Sequence, residues 1–241
     1  MTALEIVAIP AFADNYLWLA HDSDSGSTAV VDPGDGAAVL SAAEARGWTI
    51  DTILNTHWHP DHTGGNLMVK EATGATIYGP GAERARIPRL EVELAEGDTV
   101  RIGAHEAAVW AVPGHTLGHI AFVFEGLAFV GDTMFAMGCG RLFEGTPEQM
   151  HGSLQRIAAL PEHTLLYAAH EYTLANARFA AHVLPDDAAI AERFARVAGQ
   201  RERGEMTLPT TVERERATNP FVRATSVAEF ARLRGLKDNF A

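Results

Sequence analysis

The chain has 241 residues, of which 47% are hydrophobic and 21% charged, and this is the composition of a globular protein with a sizeable core. The formal net charge of −12 argues against broad binding to nucleic acids or anionic membranes, because both need a basic surface. No window reaches the roughly 18 apolar residues of a membrane helix, and the first residues do not resemble an export signal. With a single cysteine, Cys139, these features predict a cytoplasmic protein.

Up to residue 170 the chain consists of short apolar runs, with helical stretches between some of them. The strand candidates, in chain order, are LEIVAI, NYLWLA, TAVVD, DTILN, ATIY, AAVWAV, IAFVF and LAFVGD. Apolar residues at helical spacing predict helices over 37–46 and 147–160. Strands separated by helices indicate a layered α/β architecture, so we predict a first domain over residues 1–170.

The chain after residue 170 changes character because it has no further β-branched run. Amphipathic spacing predicts helices over 174–184, 188–199 and 226–236. The stretch TLPTTVERERATNPF, between the last two, contains two prolines and is predicted to be extended. We therefore predict a helical second domain over residues 171–241.

Four potential metal ligands stand within six residues, directly after the strand candidate DTILN: His57, His59, Asp61 and His62. Pro60 disfavours a regular helix here, so a loop is predicted to turn these side chains inward. Imidazole nitrogen and carboxylate oxygen are donors that suit zinc, iron or manganese. The spacing therefore predicts a metal site.

Three later residues also follow apolar runs: His115 after AAVWAV, Asp132 after LAFVG and His170 after TLLYAA. Taken singly, each is more often a hydrogen-bonded loop or turn residue than a ligand. In α/β proteins, however, ligands gather at the ends of strands. The repeated order of strand followed by ligand thus predicts one site shared by all seven residues.

The order HxHxDH, His, Asp, His resembles the signature of the metallo-β-lactamase superfamily over essentially the first 170 residues. The resemblance implies a four-layer αββα sandwich, here with a C-terminal helical appendage, and two divalent metal ions, with zinc favoured and iron or manganese also compatible. By position, it implies that one ion is held by His57, His59 and His115, the other by Asp61, His62 and His170, and both by Asp132. It further implies a bridging hydroxide as nucleophile, with Asp61 and Asp132 as catalytic residues.

Within that superfamily, three stretches are similar to the hydroxyacylglutathione hydrolase (glyoxalase II) family: GDT with GCGR at 131–141, HEYT at 170–173 and KDNF at 237–240. The resemblance implies hydrolysis of S-D-lactoylglutathione and other S-2-hydroxyacylglutathiones, the second step of methylglyoxal detoxification. We expect a monomer whose partner is this small-molecule thioester. It implies that glutathione is bound by residues Arg141, Phe143, Tyr172, Arg234 and Lys237. The family often has tyrosine at position 143, so phenylalanine there lacks one hydroxyl contact.

Several other interpretations compete with this one. A persulfide dioxygenase of the same superfamily, with one iron, shares much of the motif but not the helical appendage with Arg234 and Lys237. A β-lactam hydrolase is disfavoured by the HxHxDH form, and a binding module without catalysis by the complete ligand set. Cys139 lacks a Cys-His pairing pattern and is not predicted to be a nucleophile, while His119 is interpreted as a loop-stabilising residue.

Overall fold

The computed structural model describes residues 3–240. The strands are β1 (Glu5–Ala11), β2 (Asn15–His21), β3 (Thr28–Val31), β4 (Thr52–Leu54), β5 (Thr76–Pro80), β6 (Val92–Leu94), β7 (Thr99–Ile102), β8 (His105–Ala111), β9 (Ile120–Phe124), β10 (Leu127–Gly131), β11 (Met134–Phe135), β12 (Gly138–Cys139), β13 (Leu165–Ala168) and β14 (Thr210–Thr211). The helices are α1 (Gly36–Glu44), α2 (Pro60–Thr63), α3 (Asn66–Thr73), α4 (Pro147–Ala158), α5 (Thr173–Val183), α6 (Ala188–Glu202), α7 (Val212–Thr218), α8 (Pro220–Arg223) and α9 (Val227–Asp238), with a 3₁₀ turn at Gly81–Glu83.

The described chain forms two compact units, of which the first runs to residue 111 and includes 118–125. Its six-stranded sheet has the strands β1 to β6 in chain order. The pairs from β1 to β3 are antiparallel and those from β3 to β6 are parallel. Val39 of α1 and Val69 of α3 belong to the same buried cluster as Ile53 and Ile77 of the sheet. This unit also contains the antiparallel strands β7, β8 and β9.

The second unit comprises residues 112–117 and the chain from 126 onward. Within it, β10 pairs in parallel with β13, and β13 pairs antiparallel with β14. The short strands β11 and β12 form a hairpin. Met137, in the turn of this hairpin, packs in one cluster with Ala177 and Ala180 of α5 and Ile190 of α6. The predicted boundary between domains 1–170 and 171–241 stays a prediction.

The predicted elements are present where local signals were strong. All eight strand candidates form strands, and the predicted helices appear as α1, α4, α5, α6 and α9. Helix α4 begins with a capping box, in which the Thr146 side chain accepts from Gln149 N and Pro147 takes a first-turn position. Between residues 3 and 240, no helix is long and apolar enough to cross a membrane.

The prediction of an extended segment around TLPTTVERERATNPF is wrong for most of that stretch. Only β14 is extended, and α7 follows it immediately. The Thr211 side chain accepts from Arg214 N and so caps α7, while Pro220 occupies a first-turn position of α8. Proline is tolerated there because the first helical residues need no backbone donor. Pro209 therefore precedes α7, and Pro220 follows it in the first turn of α8, so neither proline interrupts α7.

Candidate metal centre

The residues His57 to His62 follow β4 and end in one helical turn. His59 is the N-cap of α2 and Pro60 occupies its first turn, so Asp61 and His62 lie in the helix. The predicted loop is therefore correct for His57 and wrong for Asp61 and His62. The physical reason is again that proline is compatible with the first position of a helix.

Asp32, which directly follows β3, binds Thr56 and His62 and so orients this motif. Its Oδ1 accepts from the backbone N–H of Thr56 at 2.8 Å, and its Oδ2 accepts from the Thr56 hydroxyl at 2.7 Å. The same Oδ2 lies 3.0 Å from Nδ1 of His62. Asp32 is 2% exposed and has a positive φ of 51°. The surrounding structure must stabilise this uncommon backbone conformation, which indicates that the position of the Asp32 carboxylate matters.

These contacts select one tautomer for two of the histidines. A carboxylate can only accept, so Nδ1 of His62 carries the hydrogen that faces Asp32. The Thr56 hydroxyl gives its hydrogen to Asp32 and therefore accepts from Nδ1 of His57, which is 3.0 Å away. In both rings the lone pair of the neutral imidazole is then on Nε2, the atom suited to a metal.

The ligand atoms of the first unit converge in pairs. His57 Nε2 lies 2.9 Å from His59 Nδ1, and His62 Nε2 lies 3.4 Å from Asp61 Oδ2. Asn15 donates from Nδ2 to the same Asp61 oxygen at 3.0 Å. The structure thus brings all four predicted ligands of this motif into two close pairs.

In the second unit, one carboxylate oxygen lies between two imidazoles. Asp132 Oδ2 is 3.4 Å from Nε2 of His115 and 3.4 Å from Nε2 of His170, and all three residues are buried. Nδ1 of His115 lies 2.9 Å from the Arg141 carbonyl oxygen, which can only accept, so that nitrogen carries the hydrogen. In neutral His115 the Nε2 lone pair therefore faces Asp132.

The turn after β12 links this carboxylate to the predicted substrate residues. A Cβ atom at Gly140 would lie 2.0 Å from the Asp132 carbonyl oxygen and 3.1 Å from His115 Nδ1. Only glycine permits this approach, because any side chain would displace the backbone of Asp132. Arg141 follows directly and is exposed.

Arg141, Arg234 and Lys237 form a positive cluster. Burial, followed by the nearby charges of Arg234 and Arg141, lowers the pKa of Lys237. The Lys237 ammonium donates to the Ala175 carbonyl at 3.1 Å. Arg234 is 6% exposed and donates from Nη1 to the Cys139 carbonyl at 3.0 Å, besides its ion pair with Asp238 at 2.8 Å.

The two predicted aromatic contacts stand beside predicted ligands. Tyr172 stacks on His170 with ring centroids 4.7 Å apart and an interplanar angle of 4°. Phe143 is 62% exposed and meets His115 edge-on at 5.2 Å. Their positions place an apolar and a phenolic surface beside the second-unit ligands.

Cys139 and His119 have internal positions. Burial raises the pKa of the Cys139 thiol to about 11, so the thiol stays protonated at neutral pH and is a poor nucleophile. His119 is buried and stacks on His57 with centroids 4.6 Å apart.

Asp32 is not predicted from the sequence as a residue of this site, although TAVVD shows the same order of strand followed by acidic residue as LAFVGD.

Comparison with known families divides the chain in two parts. The family described as metallo-beta-lactamase superfamily matches residues 13–170. The family described as hydroxyacylglutathione hydrolase C-terminus matches residues 171–240. Together the two matches cover almost the whole described chain.

Similar proteins agree with these matches. A hydroxyacylglutathione hydrolase of Methylococcus capsulatus is 52% identical over 232 residues, which are 95% of this chain and 91% of the relative. One of Maricaulis maris is 49% identical over 235 residues, covering 97% and 92%. The crystal structure of ETHE1 from Myxococcus xanthus has a TM-score of 0.75 and covers 97% of this chain and 90% of its own, at 24% identity, and shows the fold alone. The predicted αββα fold class with a C-terminal helical part is confirmed.

Proposed function

Since the chain belongs to the hydroxyacylglutathione hydrolase family, within the metallo-β-lactamase superfamily, we propose that it hydrolyses S-D-lactoylglutathione and other S-2-hydroxyacylglutathiones. The products are D-lactate, or the corresponding 2-hydroxy acid, and glutathione, and the reaction is the second step of methylglyoxal detoxification. Identities of about 50% over nearly the whole of each relative support this activity. The competing persulfide dioxygenase has no comparable support.

The proposed centre contains two divalent metal ions, which we take to be zinc. His57, His59 and His115 would hold one ion, Asp61, His62 and His170 would hold the other, and Asp132 would be a ligand of both. The donor set fits such ions, because three of the imidazoles have Nδ1 bound to an oxygen acceptor and present Nε2 as the donor. Iron and manganese use the same donor atoms.

The observation that carries this proposal is the position of Asp132 Oδ2, 3.4 Å from Nε2 of both His115 and His170. An anionic oxygen and the lone pair of a neutral imidazole repel each other when they face each other in a buried place. Nε2 of His115 presents such a lone pair to Asp132 Oδ2, and a cation bound by both atoms would turn that repulsion into attraction. Asp132 would therefore be a ligand of both ions.

When bound, such ions would supply a hydroxide nucleophile at neutral pH and would polarise the thioester carbonyl. Asp61 receives a hydrogen bond from Asn15 on Oδ2, so its carboxylate is held in one orientation and can accept a hydrogen bond from the attacking water. The leaving thiol has a pKa of about 8.5 and departs as a thiolate, so the site needs no strong general acid.

The positive cluster is proposed to bind the carboxylates of glutathione. Arg141 is exposed and can pair with a carboxylate through two parallel hydrogen bonds, while Lys237 acts as a compact charge. Arg234 already donates to Asp238 and to the Cys139 carbonyl, so it adds positive charge and holds the turn before Arg141. Phe143 and Tyr172 complete the proposed contact surface.

The compartment and assembly are proposed as in the sequence analysis. A cytoplasmic location agrees with a glutathione substrate, because the reduced tripeptide is an intracellular thiol buffer. We propose a monomer that binds this small molecule and neither nucleic acid nor membrane, in agreement with the net charge of −12.

The test combines metal content per chain with turnover of S-D-lactoylglutathione, followed as loss of thioester absorbance and release of thiol. A matched thioester, S-D-lactoyl-N-acetylcysteamine, has the same acyl group but no carboxylates. We expect two metal ions and much higher kcat/KM for the glutathione thioester than for the matched one. One iron per chain, no thiol release and oxygen uptake with glutathione persulfide would instead establish the dioxygenase.

A further inference from the structure

The hairpin of β11 and β12 connects the proposed bridging ligand to the proposed substrate site. Asp132 precedes it and Arg141 follows it. The Arg141 carbonyl also accepts from Nδ1 of His115, and the ring of Phe135, in β11, meets His170 edge-on at 5.9 Å. The path of this hairpin therefore decides where three proposed ligands lie.

The hairpin is too short to stabilise its own conformation. Each of its strands has two residues, and even longer isolated hairpins are marginally stable in water. Its turn includes Met137, whose φ of 58° is unfavourable for a residue with a side chain. Contacts from elsewhere must stabilise this conformation.

Side chains of the C-terminal helices supply those contacts. Asn219 Nδ2 donates to the Phe135 carbonyl at 3.2 Å and to the Gly138 carbonyl at 2.9 Å. Glu215 Oε2 accepts from the Met137 N–H at 2.8 Å. Asn219 and Glu215 are fully buried and lie 78 to 84 residues away in the chain from their backbone partners.

Glu215 is itself held in place by buried partners. Its Oε1 accepts from Arg193 Nη2 at 2.6 Å and from the Thr210 hydroxyl at 2.6 Å, and its Oε2 also accepts from Asn219 Nδ2 at 2.9 Å. Hydrogen bonds with an ionised partner are stronger than neutral ones. The strained turn at Met137 is thus bound to a carboxylate whose charge is paired.

We propose that Asn219 and Glu215 are positioning residues for the reaction: they hold the β11–β12 hairpin so that Asp132 and His115 are preorganised to bind metal. This rests on the proposed function in that Asp132 and His115 are taken as ligands. The C-terminal helices accordingly have a role in building the metal centre in addition to binding the substrate.

The test variant is Asn219→Ser, with Asp187→Ser as its matched control. Asn219 also caps α8 by accepting from Phe221 N, and Asp187 caps α6 by accepting from Ile190 N. Asp187 also pairs with Arg223 of α8 at 2.7 Å, so the control loses an ion pair beside the same helix as well. Serine remains a good cap at both positions, but only the first change removes the amide that binds the hairpin. Glu215 is a poorer target, because its loss would leave Arg193 buried without its ion-pair partner.

Zinc affinity of the metal-free chains, measured by competition with a chelator, should fall about 10- to 100-fold in Asn219→Ser and remain unchanged in Asp187→Ser. Hydrogen exchange at the Met137 amide should accelerate only in the first variant. If Asn219→Ser does not fold, Asn176→Ala serves, since it removes one bond, to the Ala136 carbonyl at 3.1 Å, and should show a smaller loss of affinity.

Unchanged zinc affinity and unchanged Met137 exchange in a folded variant would overturn the positioning role. A wild-type chain that binds zinc but hydrolyses no glutathione thioester would overturn the proposed function alone, because affinity and exchange are measured without substrate. The two failures are therefore distinguishable.

Discussion

The two halves of the proposed metal centre are supported in different ways. In the first unit, His57 and His62 are oriented by Thr56 and Asp32, which lie at most 30 residues away in the chain. In the second, the hairpin after Asp132 is bound by side chains 40 or more residues away. The first half contains its own support, whereas the second depends on the C-terminal helices. Substitutions in the two halves should therefore have different effects on metal binding, Met137 amide exchange and kinetics.

The largest effect is expected from Asp132→Ala, which removes the ligand proposed to be common to both ions. Both metal sites should weaken together, and kcat/KM should fall by about 10³-fold or more, equivalent to roughly 4 kcal/mol of transition-state stabilisation. Metal content and turnover are measured on the same preparation, with the exposed Asp186→Ala as control. Two retained ions with normal turnover would contradict the bridging role.

Asp32→Asn should have the next largest effect and should be confined to the first half. Asparagine tolerates the positive φ, but its amide has a single acceptor oxygen, which cannot accept from the Thr56 backbone N–H and also from the Thr56 hydroxyl and Nδ1 of His62. We expect about 10- to 100-fold weaker metal binding, with Met137 amide exchange unchanged. Asp35→Asn is the control, because the Asp35 side chain accepts from Ala37 N and Ala38 N and so caps α1. An equal loss in the control would refute the orienting role of Asp32.

Arg234→Ala tests the second half, where Arg234 both binds the hairpin at the Cys139 carbonyl and is proposed to bind the substrate. It removes the donor to the Cys139 carbonyl as well as positive charge, so we expect KM to rise about tenfold, a smaller decrease in kcat, and a lower unfolding midpoint. Steady-state kinetics and thermal unfolding give the three quantities. An unchanged KM would remove Arg234 from the substrate site.

Lys237→Met should affect substrate binding without affecting metal content. We expect KM to rise about three- to tenfold at neutral pH, as for loss of one partly exposed ion pair. Because the folded-state pKa of Lys237 is lowered, its charge is lost as pH rises through that lowered value, before an ordinary lysine would titrate. Below that pKa the partly buried Lys237 charge lowers the free energy of unfolding. This destabilisation disappears as pH rises from the folded-state pKa towards the unfolded-state pKa of the lysine.

The measurement for Lys237 is the affinity of S-methylglutathione, which cannot be hydrolysed, as a function of pH. Wild type should bind it progressively more weakly as pH rises through the lowered pKa. Lys237→Met should bind weakly throughout and lack that step. A wild-type profile that is flat up to the ordinary lysine range would contradict the prediction.

The smallest effect is expected from Phe143→Tyr, which adds the hydroxyl that the family resemblance leads us to expect at this position. The ring is exposed, so one new hydrogen bond should lower KM by only about two- to threefold, at the low end of hydrogen-bond contributions. Steady-state kinetics with S-D-lactoylglutathione measure it. A higher KM would show that the ring edge, and not a hydroxyl, contacts the substrate.

The support of each half also explains what could be predicted from the sequence. The motif from His57 to His62 can be predicted because its proposed ligands are close together in the chain. Asp32, which orients it, directly follows a strand, as the proposed ligand Asp132 does and His170 nearly does. The helical turn at Pro60 is not predicted, because proline disfavours the interior of a helix, although it is favoured at the first helical position.

The hairpin between Asp132 and Arg141 could not be predicted in the same way. Its two-residue strands have no periodic pattern, and its partners Glu215 and Asn219 lie in a stretch that two prolines made appear extended. Nothing local connects VERERATN with GDTMFAMGCGR, because the connection consists of side-chain bonds to backbone atoms. Such contacts become visible only when tertiary structure is known.

Cys139 provides an intrinsic reporter of these contacts. It is the one cysteine of the chain, it is 5% exposed, and a pKa of about 11 makes it almost unreactive towards disulfide reagents at neutral pH. In an assay that detects released glutathione with such a reagent, the enzyme's own thiol therefore contributes no early signal. Its slow labelling, recorded over longer times, measures how often the segment beneath Arg234 opens.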